Sequence, residues 1–72
     1  MNLHLGGHLS WYAPQRSADL AIELTAPTRL VDITSQLGLP AAEIAFAAVN
    51  GVVVTLRKAE VRDADRVELF PP

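Results

Sequence analysis

Val61–Pro72 reads VRDADRVELFPP, and its second half decides the fold. From Arg66 to Phe70 the polarity alternates. Val67 and Leu69 fall on one face, and Arg66, Glu68 and Phe70 on the other, which is the period of a strand with one wet side. Asp63-Ala64-Asp65 ahead of it is a turn signal, because aspartate side chains bond nearby backbone N–H groups. Pro71-Pro72 cannot continue a ladder and stops the strand. If this strand pairs beside the first strand of the chain, the whole sequence closes around one mixed sheet.

Working outward, Leu56–Val61 is irregular and carries Arg57, Lys58 and Glu60. Before it, Ala45–Val49 is a small apolar run that reads as a central strand buried on both faces. Asn50-Gly51 follows, the strongest short-range hairpin signal. Val52-Val53-Val54-Thr55, β-branched throughout, is the return strand. Further back, Leu30, Ile33 and Leu37 fall at i, i+3 and i+7, one helical stripe. The spacing predicts a helix over Leu30–Leu37. Thr28 is its expected N-cap and Asp32 sits near its positive end. Gly38 and Pro40 mark its exit, and Pro40–Glu43 makes one further short turn.

Asp19–Thr25 alternates Leu20, Ile22 and Leu24 with Asp19, Ala21 and Glu23, a half-buried strand. Leu3, Leu5, Leu9 and Trp11 also keep even spacing, so a first strand is expected through Trp11, bent at Gly6-Gly7 and ended by Pro14. The first two strands form a hairpin over Ala13–Ala18. The element order is ββαβββ: an α+β layout with a four- to five-stranded mixed sheet and one helix across it.

Three stretches carry a family resemblance. They are the helix exit Gln36-Leu37-Gly38-Leu39-Pro40, the hairpin Val49-Asn50-Gly51-Val52-Val53, and Val61–Pro72 itself. In that order and at that spacing they resemble the MoaD/ThiS sulfur-carrier family. The resemblance implies a ubiquitin-like β-grasp and covers the second half of the chain closely. The first half matches in pattern only. Ala64 stands where the family has glycine in its turn, so position 64 is expected either to avoid positive φ or to accept strain.

In that family an ATP-using activating enzyme adenylates the C-terminal carboxylate, which then becomes a thiocarboxylate. The resemblance therefore implies a small protein that docks on an activating enzyme or synthase through its sheet face and C-terminal edge. It places the docking residues at Phe70, Pro71, Pro72, Arg66 and Val53. The pathways it suggests are molybdopterin or thiamine biosynthesis, or a related one. The family's carriers continue past the proline pair to a Gly-Gly end, and this sequence reads only to Pro72. Glycine threads a narrow channel because it has no Cβ, whereas proline fixes φ and sets a ring beside the carboxylate. A terminus at Pro72 is expected to be incompetent in carriage. The alternative is a β-grasp interaction module, or a small subunit of a larger complex, that binds a partner without being acylated.

Bulk composition narrows the classes. Seventy-two residues are read as one domain over positions 1–72. Half the residues are apolar and the net charge is −2, so disorder is not expected. Cysteine is absent, which excludes a disulfide scaffold, a cysteine-ligated zinc site and an iron–sulfur cluster. Lys58 is the only lysine, and no basic stripe interleaved with aromatics points to nucleic acid. No apolar run approaches the roughly 20 residues of a spanning helix, and Met1-Asn2-Leu3 opens no secretion signal. A soluble cytoplasmic protein is expected.

The remaining chemistry-bearing residues read as structural. His4 and His8, if both lie on one extended strand, stand about 13 Å apart and face solvent. Trp11-Tyr12 in strand phase sends one ring inward and one outward. Asp63 and Asp65 are turn residues, too few for a calcium loop. Arg57, Arg62 and Arg66 read as a solvated charged surface, the alternative being contact with an acidic partner. Phe70 is out of phase with Val67 and Leu69, which leaves it either a docking edge or a packed strand end. No catalytic constellation and no metal or cofactor set is seen, so an enzyme is not expected.

Overall fold

The computed structural model describes all residues, Met1–Pro72. Its strands are β1 (Asn2–Leu5), β2 (Asp19–Ala21), β3 (Thr28–Arg29), β4 (Phe46–Val49), β5 (Val52–Val54), β6 (Glu60–Val61) and β7 (Arg66–Phe70). One α-helix, α1 (Leu30–Gln36), follows β3. Five strands form the main sheet in the order β2-β1-β7-β4-β5. β7 lies at its centre, parallel to β1 and antiparallel to β4. This is the β-grasp layout expected from the sequence, with the last strand beside the first.

The alternation that defines β7 also builds the core. Val67 and Leu69 are buried, together with Leu3 and Leu5 of β1, Ala47 of β4, and Leu30 and Ile33 of α1. Leu37 packs at the margin of this cluster. The helix ends one residue short of the expected Leu37, which is its C-cap. The Leu39 N–H reaches the Thr34 carbonyl at 2.9 Å, and the Gly38 N–H reaches Ser35 at 3.1 Å. These two bonds close the last turn in a Schellman motif, and Leu39 folds back into the core. Ala41–Glu43 makes the expected extra turn, in 3₁₀ form.

Several expectations are corrected. β1 stops at Leu5, and Gly7–Tyr12 is a 3₁₀ helix rather than a continued strand. Gly7 sits at φ 51°, which turns the chain out of the sheet. Leu9 still points inward, so a one-in-two spacing was kept without a strand to carry it. Trp11 and Tyr12 are both exposed, at 71% and 41%, instead of one in and one out. β1 and β2 do pair antiparallel as expected, but their connection is longer than Ala13–Ala18 and is built from two 3₁₀ turns, Gly7–Tyr12 and Pro14–Arg16. β2 is shorter than expected, although Leu20, Ile22 and Leu24 keep the inward phase through the extended chain beyond it.

Thr28 does not cap α1. It lies in β3, and its hydroxyl donates to the Ala26 carbonyl at 3.0 Å. The N-cap position is Arg29, with no side-chain cap. Backbone does the work instead: β3 pairs with β6 as a separate two-stranded ladder, and the Leu30 N–H donates to the Ala59 carbonyl at 3.0 Å. An orphan donor at the helix start is thereby satisfied without a polar side chain. β4 is an interior strand buried on both faces at its middle, but not along its whole length. Ala47 and Ala48 are buried, but Phe46 is 46% exposed.

The Asn50-Gly51 turn has φ values of 52° and 83°, both left-handed, as a type I′ hairpin requires. Asn50 also ties the turn to β7, because its side-chain oxygen accepts the Arg66 N–H at 2.9 Å. Its amide donates to Asp65 at 2.9 Å, and the other Asp65 oxygen accepts the Arg62 N–H at 2.8 Å. Asp63 accepts the Leu24 N–H at 2.9 Å and lies 3.5 Å from the Met1 ammonium. Ala64 between them avoids positive φ, the unstrained of the two alternatives. The two aspartates thus fasten three loops to the start of β7.

Both carboxyls are held below their ordinary range. For Asp63 the main cause is the Leu24 N–H, followed by the N-terminal charge; for Asp65 it is the Arg62 N–H, followed by the Asn50 amide. A carboxyl whose folded pKa lies below its unfolded one stabilises the fold above the unfolded value. That contribution is lost as pH falls through the folded value. The urea midpoint is therefore expected to fall between about pH 5 and pH 2. Asp65→Asn is expected to lower the midpoint at neutral pH and to flatten this acid limb, because an amide cannot accept both bonds. An unchanged acid limb in the variant would remove Asp65 from the account.

Candidate functional site

The sheet has two faces, and only one is covered by α1. Along β7, Val67 and Leu69 go under the helix, so Arg66, Glu68 and Phe70 emerge on the open face. Register carries this face across the sheet. Phe46 stands opposite Phe70, Ala48 opposite Glu68, and Val53 opposite Ala48. On the other side His4 stands opposite both Glu68 and Asp19.

The open face is divided along the strand direction. At the end where β7 leaves the sheet, the Phe46 and Phe70 rings stack at 4.7 Å between centroids, 22° from parallel. Ala48 lies beside them, and Val53 extends the apolar patch to the edge, 67% exposed. Toward the start of β7 the face turns polar, with Arg66, Glu68 and the pair His4 Nδ1–Asp19 Oδ1 at 2.8 Å. A shallow groove of about 410 Å³ lies there, between Asn2, His4, Asp19, Ala21 and Arg66.

The exit of β7 is held from both sides. The Gly6 N–H donates to the Leu69 carbonyl at 2.8 Å, and the Ala45 N–H donates to the Phe70 carbonyl at 2.7 Å. Pro71 is half-buried and Pro72 exposed. Gly6-Gly7 is where the bend meets this exit. A Cβ on Gly7 would stand 2.8 Å from Pro71 Cγ, and the φ of 51° is unfavourable for any side chain. Gly7→Ala is expected to lower stability by about 2 kcal/mol, combining left-handed strain with displacement of a rigid ring. Urea denaturation measures it. A cost near zero would mean that Pro71 is not seated on this bend.

Of the five residues expected at the docking edge, Phe70, Arg66 and Val53 share the open face, and Pro71 and Pro72 continue from it. Phe70 is neither free nor in the core, because it is stacked on Phe46. Phe46 belongs to the same patch and was missed; Ala48 shares the face but is buried beneath its neighbours. Phe46 heads an apolar run, and only its register with Phe70 places it on the open side. The histidines do not share one strand. His8 sits in the 3₁₀ segment, with Nε2 3.0 Å from Glu43, bridging the two turns that flank the β7 exit. Its ring meets Trp11 and Tyr12 edge-on at 6.4 Å.

No three His, Cys, Asp or Glu side chains converge as metal ligands. No helix is long and apolar enough to cross a membrane. The arrangement is an uncovered apolar patch with an anchored strand leading out beside it. The model of the ThiS family matches residues 10–72 of the chain. A search of curated proteins returns no match.

Proposed function

The chain belongs to the ThiS family, small ubiquitin-like proteins of the sulfur-carrier type that are not themselves enzymes, and from that premise we propose how it meets its partner. The single β-grasp unit docks on an ATP-using activating enzyme, and then on a synthase, through the open sheet face. Phe46, Phe70 and Val53 form the apolar centre of that contact, and Arg66 its charged rim. Pro71 and Pro72 lead the chain from the docked face toward the partner's nucleotide site. The pathway is biosynthesis of a sulfur-containing cofactor, of the molybdopterin or thiamine kind, in the cytoplasm.

One observation supports this most directly. The stacked pair, Phe46 exposed and Phe70 half-buried, stands on the uncovered face at the very end from which β7 leaves, so docking and tail delivery would share one site. The chemistry itself needs a flexible, glycine-terminated segment past Pro72. There the carboxylate oxygen attacks the α-phosphorus of ATP, pyrophosphate leaves, and a sulfur donor then displaces AMP from the acyl carbon.

The test uses the chain carrying a Gly-Gly-terminated extension, together with its activating enzyme and ATP. Labelled pyrophosphate should exchange into ATP only when both proteins are present. Intact mass after sulfur transfer should show one oxygen replaced by sulfur. Binding without exchange would demote the chain to a docking module. Absence of binding would sink the proposed face.

A further inference from the structure

We infer that the edge strand β5 is a self-recognition surface: it pairs antiparallel with β5 of a second copy, about a two-fold axis at Val53. Along a strand, successive N–H and C=O pairs face opposite neighbours. Asn50 faces β7, since its N–H donates to the Arg66 carbonyl at 2.7 Å. Val49 and Ala47 therefore face β5. Their register partners, Val52 and Val54, face back toward β4. Val53 turns both its N–H and its C=O to the open edge, and no turn or loop hydrogen bond uses either.

A residue with both groups outward can pair with its own copy. A two-fold axis at Val53 makes the two residues a reciprocal hydrogen-bonded pair, each giving one N–H and taking one. The same register sets Val52 opposite Val54 of the second copy, and Val54 opposite Val52. The triplet Val52-Val53-Val54 is self-complementary under this operation, so one strand supplies both sides of an isologous contact. Val52 and Val53 are 64% and 67% exposed, and both are covered by it.

Charge permits the contact. Ile44 through Leu56 carries no ionisable side chain. Edge strands are ordinarily protected by charge, proline or a covering element, and β5 has none of these. The opposite edge of the sheet, β2, is protected: Asp19 stands there with its side chain 80% exposed, and two copies meeting along it would bring carboxylates together. Of the two edges, only β5 is open to a like copy.

The contact is small. The Thr55 carbonyl is already taken by the Lys58 and Ala59 N–H groups, so the pairing closes after Val54. A three-residue pairing buries an area well under about 1,200 Å², which makes the dimer weak and transient. This inference does not depend on the proposed carrier role.

Sedimentation equilibrium of the 72-residue chain over a wide concentration range tests it. The weight-average mass is expected to climb from one chain toward two. The Val53 amide is expected to gain protection from hydrogen exchange with concentration, while the amides that pair β5 with β4 do not. Val53→Lys places like charges across the axis and is expected to raise the dissociation constant roughly tenfold or more. Val53→Pro removes the outward N–H without touching the β4 ladder and is expected to do the same. A wild-type mass that stays at one chain throughout overturns the inference. So does dimerisation that both variants leave unchanged.

Discussion

Truncating Leu69 to alanine is expected to lower the unfolding free energy by about 3–5 kcal/mol, the largest effect of any single change considered in this chain. Leu69 has no exposed surface and lies in the central strand, opposite Leu5 on one side and Ala47 on the other. Those neighbours are themselves fully enclosed, and Ala47 is too small to fill the gap. The cavity term therefore adds to the lost transfer energy. A domain of this size holds only about 5–15 kcal/mol in total, and small domains stand at the low end. The variant is expected to be substantially unfolded at physiological temperature. Leu69→Met, which conserves volume, is expected to cost less than about 1.5 kcal/mol. Urea titrations followed by far-UV circular dichroism measure both. A loss under about 1 kcal/mol for the alanine variant would contradict the central place of β7.

That strand was also the most legible part of the sequence. Its two-residue period needed only Val67 and Leu69 against Arg66, Glu68 and Phe70, and the structure keeps every one of those sides. The Leu30/Ile33/Leu37 stripe and the Asn50-Gly51 turn were equally plain, because each is enforced by neighbours in sequence. The failures share the opposite cause. Gly7–Tyr12 kept even spacing but is a 3₁₀ turn, since the decisive fact is the seat of Pro71 on Gly7, far away in sequence. β3 and β6 are too short to show a period and exist because they pair with each other. Thr28 looked like a cap because the competing donor-to-carbonyl bond from Leu30 to Ala59 was invisible. The open-face patch was half legible for the same reason: Phe70 could be placed on a face, but Phe46 joins it only through cross-strand register.

The Phe46–Phe70 pair is where the second large effect is expected, on binding rather than on folding. Removing Phe70 in Phe70→Ala is expected to weaken association with the activating enzyme by about 2–4 kcal/mol, roughly 30- to 1,000-fold in dissociation constant. Aromatic anchors near the centre of an interface carry most of the energy, and this ring is already held in place by its stack. Phe46→Ala is expected to act through the same contact, so the double variant should lose less than the sum of the two. Folding should suffer far less, because both rings lie on the uncovered face and the stack contributes only about 0.5–1.5 kcal/mol. Arg66→Glu separates rim from centre. As an exposed charge it should slow association and alter its salt dependence, while leaving dissociation nearly unchanged. Titration calorimetry and stopped-flow kinetics on the folded variants distinguish the two roles. Binding of Phe70→Ala within about twofold of the parent would mean the partner reads another surface. The link between the apolar patch and the strand that leaves beside it would then have to be abandoned.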